Sequence, residues 1–443
     1  MALARGLLAR AGRAPRAAPA LLRGRGPPTP ARYRQRLENR LNTQYHGEAE
    51  VGGQRVVAIF DTGSFDLLVS SEGCAECPDP PYDPNASSTF RAVPNSSEPV
   101  LHSFGSGPTL SLRGRERVRI GPYVVQNQTF FRIVSHNISA MNASGAFNAI
   151  VGIGPQDLNG SFPSLLTNLG VAEFSVCLER AALAPGWLVW GGLEGGAKRR
   201  SVELRVVGRH HWAVRMRHLL PAVNLSGPQR AAAGTLLCAR GCAAVLDSGT
   251  SLISAPSHAL TGLELLLPEL REDCSNFGDL PDLELELDGR RLRLPPEAYV
   301  MRLGGRFLDA MSVWERLHIK PNLTLPDQCF YAFMTLDAHT DFGPLWVLGM
   351  PFFRFFHVTF GLASAAEERR IWLSRASDEC DPLPLELDES EASQESPLYR
   401  GVGVYPKVVV VQRHQERHRV SASGQPLTID SRLLRLPKVE DDL

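Results

Sequence analysis

Apolar and polar residues alternate over short stretches through most of the chain. From Tyr45 onward, segments such as GEAEVGGQRVVAIF, ERVRIGPYVVQNQTFF and GWLVWGG place apolar residues at about every second position, and Gly, Pro and Asn interrupt them. A period of two is typical of strands in half-buried sheets. One segment, residues 257–270, has leucines at helical spacing and follows Pro256. The pattern therefore predicts an all-β fold, a sandwich or barrel with a few short helices.

A sequence repeat divides this β-rich region into two halves. The segment AIFDTGS at 58–64 returns as AVLDSGTS at 244–251, so Asp61 and Asp247 are 186 positions apart. Each copy is followed by a second apolar-glycine signal, AIVGIG at 149–154 and WVLGMPFF at 346–353. The same signals in the same order indicate a duplicated lobe. Each copy then contributes one carboxylate.

The repeated Asp residues have a simple interpretation and a chemical one. Asp-Thr-Gly by itself favours an ordinary turn, but a carboxylate at the end of an apolar strand is costly without partners. Two carboxylates brought close together cannot both ionise easily, so the pair contains an acid and a base at once. Such a pair can hydrolyse an amide through water. The neighbouring residues suit this task by backbone clearance or by hydroxyl donors: Thr62, Gly63, Ser64, Ser248, Gly249 and Thr250.

At this point the chain resembles the pepsin-type aspartic endopeptidases, peptidase family A1, over about residues 42–376. The resemblance is carried by FDTGS, YDPNASSTF, FNAIVGIG, FSVCL, HWAV, CARGC, LDSGTS, LPDLELELDG and WVLGMPFFR. It implies a bilobal double-β-barrel with a cleft and a β-hairpin flap, and it makes Asp61 and Asp247 the catalytic dyad. It also implies an acid-active hydrolase, synthesised as a zymogen, that cleaves internal peptide bonds between bulky apolar residues.

The predicted domain boundaries follow the repeat and the changes in composition. Residues 1–44 are a basic targeting or pro-segment, residues 45–206 the N-terminal lobe with the first Asp and the flap, and residues 207–380 the C-terminal lobe. From residue 381 to 443 the chain becomes acidic and Pro-bearing, which indicates a low-order extension.

The flap differs from the family pattern. The segment HSFGSG places Phe104 where the family has Tyr, and Leu68 stands where it has the Trp that this Tyr contacts. The Tyr and the Trp that form this polar contact in the family are therefore both replaced by apolar residues. Gly105 and Ser106 still offer hydrogen-bond donors to a bound peptide. Ile150 and Ser251 complete the predicted substrate-binding set. This altered flap motivates the alternative function, a pepsin-like peptide-binding protein with weak or no catalysis.

The eight Cys are an even number, and the resemblance implies their pairing as Cys238–Cys242, Cys274–Cys329 and Cys74–Cys77, with Cys177 and Cys380 left as a further candidate pair. The C-x-x-C of Cys74 and Cys77 also fits a zinc half-site or a redox pair, but it lacks a second ligand pair and a thioredoxin-like context. We expect no metal and no cofactor. His210 and His211 are predicted to lie on the solvated surface.

Eight of the 13 Asn begin N-x-S/T triplets, and these glycosylation candidates indicate the secretory pathway: Asn85, Asn95, Asn127, Asn137, Asn142, Asn159, Asn224 and Asn322. The Cys content agrees with an oxidising compartment, secreted or lysosome-like. The Arg-rich N-terminus, with ten Arg and one acid before residue 45, is instead typical of an organelle transit peptide. A basic pro-segment and a wrongly assigned start remain further interpretations.

Charge and hydropathy restrict the partners. The N-terminal 44 residues carry +9 and residues 381–443 carry −3, so residues 45–380 carry −6, which does not favour nucleic-acid binding. No apolar run reaches the roughly 20 residues of a membrane-spanning helix. We therefore expect a monomer that acts on protein or peptide substrates.

Overall fold

The computed structural model describes residues 32–385 except 41, 94–98, 139–140, 142–146, 156–161, 182, 194, 224–232, 234–237, 239–240, 305–326 and 364. Most of the predicted basic segment and of the C-terminal extension lies outside these residues. So do five glycosylation candidates: Asn95, Asn142, Asn159, Asn224 and Asn322.

The strands of the N-terminal half are β1 (Tyr33–Arg40), β2 (Gln44–Val51), β3 (Gln54–Asp61), β4 (Leu67–Ser70), β5 (Arg91–Ala92), β6 (Val100–Phe104), β7 (Gly107–Ile120), β8 (Tyr123–His136), β9 (Ala149–Gly152), β10 (Glu173–Leu178), β11 (Gly186–Trp190) and β12 (Val202–Arg205). The helices of this half are α1 (Leu165–Leu169) and α2 (Gly195–Lys198), with a 3-10 turn at Pro84–Ala86.

The strands of the C-terminal half are β13 (Ala213–Pro221), β14 (Cys242–Leu246), β15 (Ile253–Ala255), β16 (Leu283–Leu287), β17 (Arg290–Leu294), β18 (Val300–Gly304), β19 (Asp327–Tyr331), β20 (Phe333–Thr335), β21 (His339–Thr340), β22 (Gly343–Leu348), β23 (Phe356–Gly361), β24 (Arg370–Ala376) and β25 (Pro382–Leu383). Its helices are α3 (Ser257–Leu266) and α4 (Met350–Phe355), with 3-10 turns at Phe277–Asp279, Pro296–Ala298 and Ala366–Glu368.

The sequence repeat corresponds to a repeated strand arrangement, which confirms the predicted bilobal β fold. In the first lobe, β9 runs parallel to β3 and antiparallel to β4, and Gly152 is paired with Asp61. In the second lobe, β22 runs parallel to β14 and antiparallel to β15 in the same way. In each lobe, the loop that follows the Asp-bearing strand therefore connects two strands that both pair with one central strand, β9 in the first lobe and β22 in the second.

A sheet shared by both halves joins the lobes, in the order β12-β24-β23-β10-β11-β1. Strand β10 pairs with β23, and β12 pairs with β24, so residues on both sides of the predicted boundary at 206/207 form one layer. Strand β1 lies between β11 and β2. Because β1 is internal to this sheet, removal of the whole predicted segment 1–44 would take out one of its strands. At the other end, β25 continues the sheet beside β24 past residue 380.

Aromatic residues fill the core between the lobes. Trp190, Trp212 and Trp346 are fully buried. Phe174 of β10 stacks on Phe360 of β23 with ring centroids 5.0 Å apart. The indole Nε1 of Trp212 donates to the main-chain oxygen of Ile153 at 3.1 Å, so this side chain links the two lobes directly.

The predicted helix at 257–270 exists but ends earlier, as α3 at Leu266. Leu267 adopts an extended backbone and donates its amide to Leu263. The next residue, Pro268, has no amide hydrogen, and its ring disfavours helical backbone at the residue before it. The leucine pattern continues past the point where the backbone can remain helical.

All four candidate cysteine pairs are bonded in the structure: Cys74–Cys77, Cys177–Cys380, Cys238–Cys242 and Cys274–Cys329. The Cys177–Cys380 bond connects β10 with the segment after β24, on either side of β23 in the shared sheet. This bond therefore fastens the C-terminal part of the described chain to a strand of the N-terminal half.

Candidate active site

The first Asp loop follows β3, whose last residue is Asp61. The amide of Gly63 donates to Oδ1 of Asp61 at 2.8 Å, and the hydroxyl of Ser64 donates to Oδ2 at 2.5 Å. The main-chain oxygen of Asp61 accepts the amide of Ile153 at 2.8 Å. Both carboxylate oxygens and the backbone of Asp61 are thus held by residues that the sequence repeat identifies.

The second Asp loop repeats the two carboxylate contacts and has a different backbone contact. The amide of Gly249 donates to Oδ1 of Asp247 at 2.7 Å, and the hydroxyl of Thr250 donates to Oδ2 at 2.6 Å. The amide of Asp247 donates to the main-chain oxygen of Leu348, the last residue of β22, at 3.0 Å. Ser64 and Thr250 therefore occupy equivalent positions, as the sequence predicts.

Two hydroxyls join the loops across the lobe interface. Oγ1 of Thr62 donates to the main-chain oxygen of Leu246 at 2.9 Å and accepts the amide of Ser248 at 2.8 Å. Oγ of Ser248 donates to the main-chain oxygen of Phe60 at 2.6 Å and accepts the amide of Thr62 at 3.2 Å. Because each hydroxyl contacts the opposite loop, these reciprocal hydrogen bonds fix the position of one Asp relative to the other.

The two carboxylates face each other at close range. A Cβ placed on Gly63 would lie 2.6 Å from Cγ of Asp247, and one on Gly249 would touch Oδ1 of Asp61. Only glycine allows each backbone to pass the opposite carboxylate. Burial, followed by the charge of Asp247 and a hydrogen bond to it, raises the pKa of Asp61 well above its usual value. Asp61 is only 8% exposed. The geometry therefore favours a pair that retains a proton.

His211 is buried beside the first loop, so its predicted surface position is wrong. Its Nδ1 lies 3.1 Å from the main-chain oxygen of Gly63. Since that oxygen only accepts, Nδ1 carries the hydrogen. Burial lowers the pKa of His211 to about 4. The histidine doublet has no hydrophobic pattern of its own, and only its position before the buried Trp212 marks it as part of the core.

The flap is the hairpin of β6 and β7, with Phe104 paired to Gly107 at its tip. Phe104 is half-buried and packs against an apolar cluster that includes Leu68, Phe131 and Ile150. Gly105 is exposed and Ser106 is half-buried. Phe104 and Leu68 thus belong to one apolar cluster, where the family pattern has a polar contact.

The remaining predicted substrate residues occupy different positions from those expected of a cleft lining. Leu68 has no exposed surface and Ile150 is 6% exposed, so both support the flap from below. Ser251 is half-buried, and its hydroxyl donates to the main-chain oxygen of Thr43 at 2.6 Å, which ties the β1–β2 turn to the second loop.

Two other features lie away from the paired Asp residues. Among the described residues, the group that best resembles a metal site is Cys74, Cys77 and His136, and a disulfide joins its two sulfurs. A cavity of about 420 Å³ beside α3 and β19 is lined by residues such as Leu267, Tyr331 and three glutamates, and it includes neither Asp.

Comparison with known proteins agrees with this geometry. A model of the eukaryotic aspartyl protease family matches residues 44–306, more than half of the chain. Pepsin II-1 of Oryctolagus cuniculus is 27% identical over 74% of this chain and 83% of its own length. Pepsin A of Sus scrofa is 26% identical over 74% and 81%, and Cathepsin E-A of Xenopus laevis 28% over 71% and 75%.

The chain belongs to the eukaryotic aspartyl protease family. It is an aspartic-type endopeptidase, a hydrolase of peptide bonds, and the resemblance expected from its motifs is confirmed.

Surface features agree with a protein of the secretory pathway. Four disulfides are typical of an oxidising compartment. The glycosylation candidates inside the described residues, Asn85, Asn127 and Asn137, are all exposed. In the part of the chain that the structure describes, no helix combines the length and the apolar character needed to cross a membrane.

Proposed function

We propose that Asp61 and Asp247 act as the catalytic dyad that hydrolyses internal peptide bonds of protein substrates in acid. The observation that carries this proposal is the reciprocal approach of the loops, in which the glycine of each loop lies against the carboxylate of the other. A turn-forming Asp requires no partner from a second lobe. Two loops joined by hydroxyls and cleared by glycines are suited to bring two carboxylates to one substrate.

The proposed reaction uses the pair as one acid and one base. The ionised carboxylate accepts a proton from water while the water oxygen bonds to the peptide carbonyl carbon, and the protonated carboxyl gives its proton to the carbonyl oxygen. The tetrahedral species then collapses. Its C–N bond breaks as the carboxyl that took the proton from water gives it to the amine nitrogen, and the other carboxylate takes a proton from one hydroxyl of the tetrahedral carbon. The products are a carboxylic acid and an amine, and each Asp regains its starting protonation. Ser64, Thr250 and the glycine amides orient the four carboxylate oxygens throughout.

Acid activity follows from the shared proton. The pKa of Asp61 is raised chiefly by burial and then by Asp247, so the pair keeps its proton to a higher pH than an isolated Asp does. At higher pH the pair loses this proton, and the acid half of the reaction is lost with it.

We also propose a preference for bulky apolar residues. Phe104 is a half-buried aromatic side chain at the flap tip, packed against the buried cluster that includes Leu68 and Ile150. Gly105 and Ser106 supply donors at the tip for the backbone of a bound peptide. We propose that the enzyme acts as a monomer. Its proposed location is a secreted or lysosome-like compartment.

The test is cleavage of an unfolded protein between pH 3 and 7 by wild type, Asp61→Asn and Asp247→Asn. We expect each variant to lose at least about 1,000-fold in kcat/KM, because it removes a required acid or base. Equal cleavage by all three proteins would reject the dyad. Absence of cleavage by correctly folded wild type, with retained peptide binding, would favour the alternative of a peptide-binding protein built around the altered flap.

A further inference from the structure

A buried histidine and a buried aspartate meet between the flap and the first Asp loop. His102 lies on β6, two residues before Phe104, and Asp66 lies two residues before Leu68. Nε2 of His102 is 3.3 Å from Oδ2 of Asp66, with side-chain exposures of 3% and 4%. The polar contact therefore joins the same two segments as the Phe104–Leu68 position, displaced by two residues along each.

Asp66 belongs to the rigid part of the first loop. Its main-chain oxygen accepts the amide of Gly152 at 2.9 Å, and Gly152 is the residue paired with Asp61 across β9 and β3. Asp66 is also only five residues beyond Asp61. A contact made by the Asp66 side chain is therefore connected, through this backbone, to the position of the Asp61 carboxylate.

His102 is held on the flap side by two further contacts. Its Nδ1 lies 3.0 Å from the hydroxyl of Ser111, which is on β7, the second strand of the flap. Its ring meets Phe131 edge-on with centroids 4.6 Å apart, and Phe131 is in register with Leu68 on the adjacent strand. The imidazole thus contacts both flap strands and the sheet beneath them.

The contact supplies direction that the apolar cluster lacks. Packing of Phe104 against the cluster that contains Leu68 is favourable, but hydrophobic contact is non-directional and does not fix one position. A buried carboxylate, by contrast, is costly unless a charged or hydrogen-bonding group stays close to it. Oδ1 of Asp66 has no hydrogen-bond partner among the described residues. The 3.3 Å approach of Oδ2 to Nε2 of His102 is a close polar contact without hydrogen-bond geometry, and it places the imidazole beside the carboxyl group.

We propose that His102 and Asp66 are positioning residues that hold the base of the flap in register with the first Asp loop. They replace, two residues earlier on each segment, the polar link that Phe104 and Leu68 cannot make. Neither side chain touches the reacting atoms. Their effect on cleavage rests on the proposed function, but their effect on flap motion does not.

The test compares His102→Leu with His102→Gln, because the glutamine amide can still donate to Asp66 from near the Nε2 position, whereas leucine cannot. Leu101→Gln is the matched control, since Leu101 is 51% exposed on the opposite face of the same strand. Hydrogen exchange is followed at backbone amides of residues 100–107, with β16 and β17 as the reference hairpin in the other lobe. The kcat and KM for one peptide substrate are measured on the same samples.

We expect His102→Leu to speed exchange in the flap about tenfold or more, since it removes a buried polar contact, and to leave β16 and β17 unchanged. Its kcat/KM falls, His102→Gln stays near wild type, and Leu101→Gln has no effect. Asp66→Leu behaves like His102→Leu, and the double variant exchanges no faster than either single one, because both remove the same contact.

Unchanged flap exchange in folded His102→Leu would overturn the proposal, and so would an equal increase in both hairpins, which indicates general destabilisation. Exchange distinguishes this inference from the proposed function. If wild type cleaves nothing but His102→Leu still loosens only the flap, the positioning contact stands and the catalytic proposal fails.

Discussion

The loop around Asp61 and the loop around Asp247 are built from equivalent local contacts and placed in different surroundings. In both, a glycine amide and a hydroxyl hold the carboxylate, and the end of a central strand holds the backbone. The first loop, however, lies beneath the flap and is followed by Asp66. The second is followed by Ser251, which contacts the β1–β2 turn.

This comparison separates what the pair requires from what each lobe adds. The shared contacts orient carboxylates, so both copies need them. The unshared contacts connect each loop to a different neighbour, the flap in one case and the N-terminal turn in the other. We therefore expect changes in the shared contacts to have similar effects in both loops, and changes in the unshared contacts to affect one side alone.

Among changes that leave both carboxylates in place, the largest expected effect comes from the facing glycines. Gly63→Ala places a methyl 2.6 Å from Cγ of Asp247, and Gly249→Ala places one against Asp61. Each must displace a carboxylate, and we expect kcat to fall about 100-fold in both variants. Steady-state kinetics checks this. Gly278→Ala is the control, because no atom lies within 4 Å of its added carbon. A large loss in only one of the two loop variants would contradict their equivalence.

The reciprocal hydroxyls should show the next largest effect, on stability. Thr62→Val and Ser248→Ala each leave a buried amide and a buried carbonyl without a partner. We expect the free energy of unfolding to fall by about 2 kcal/mol in each. Urea unfolding measures it, with the exposed Thr335→Val as the matched control. The prediction fails if the free energies of unfolding of Thr62→Val and Ser248→Ala differ from each other by more than that of Thr335→Val differs from wild type. The two hydroxyls would then contribute unequally to stability.

The burial of Asp61 predicts a pH dependence of stability. Because its pKa is raised in the folded protein, its stabilising contribution is fully present below about pH 4. It is lost as the pH rises through the raised pKa. Asparagine at position 61 cannot ionise, so wild type should become less stable relative to Asp61→Asn as the pH rises from about 4 through the raised pKa of Asp61. Urea unfolding at several pH values gives the difference.

Three buried histidines contribute a pH dependence of stability of the opposite sign. Their contribution must be the same in wild type and in Asp61→Asn for this test to work. Burial lowers the pKa of His46, His211 and His357 to about 4, so the stability they contribute is present above about pH 6.5 and is lost as the pH falls to about 4. Both proteins contain all three, and the difference between them reports Asp61 together with its coupling to Asp247. A difference that does not change with pH would mean that Asp61 ionises normally.

The smallest effect is expected at Ser251, which stands where the first loop has Phe65. Ser251→Ala removes one hydrogen bond to Thr43, and we expect a loss of about 1 kcal/mol in the free energy of unfolding with kcat/KM unchanged. Thermal unfolding and peptide kinetics on the same sample check this. A rise in KM without a loss of stability would restore Ser251 to the substrate site.

Much of the site was predictable because its local sequence pattern occurs twice in the chain. The repeated Asp-x-Gly, the hydroxyl residues beside it and the apolar-glycine partners are local patterns, and their duplication predicts two equivalent loops. The flap substitution was visible in the same way, as a departure from a pattern at Phe104 and Leu68. The helix at 257–266 was predicted by its leucine spacing, although Pro268 ended it before that spacing did.

The sequence alone determined the β-rich class, the duplication and the choice of Asp61 and Asp247 as the candidate pair. Each of these rests on local patterns, in which the residues that matter lie close together in the chain. Only the tertiary structure decided that β1 is internal to the shared sheet, that His211 is buried and that His102 faces Asp66. These arrangements join residues 36 to about 150 positions apart. A histidine or an Arg-rich segment carries no local signal of which distant surface will cover it, because burial is a property of the assembled lobes.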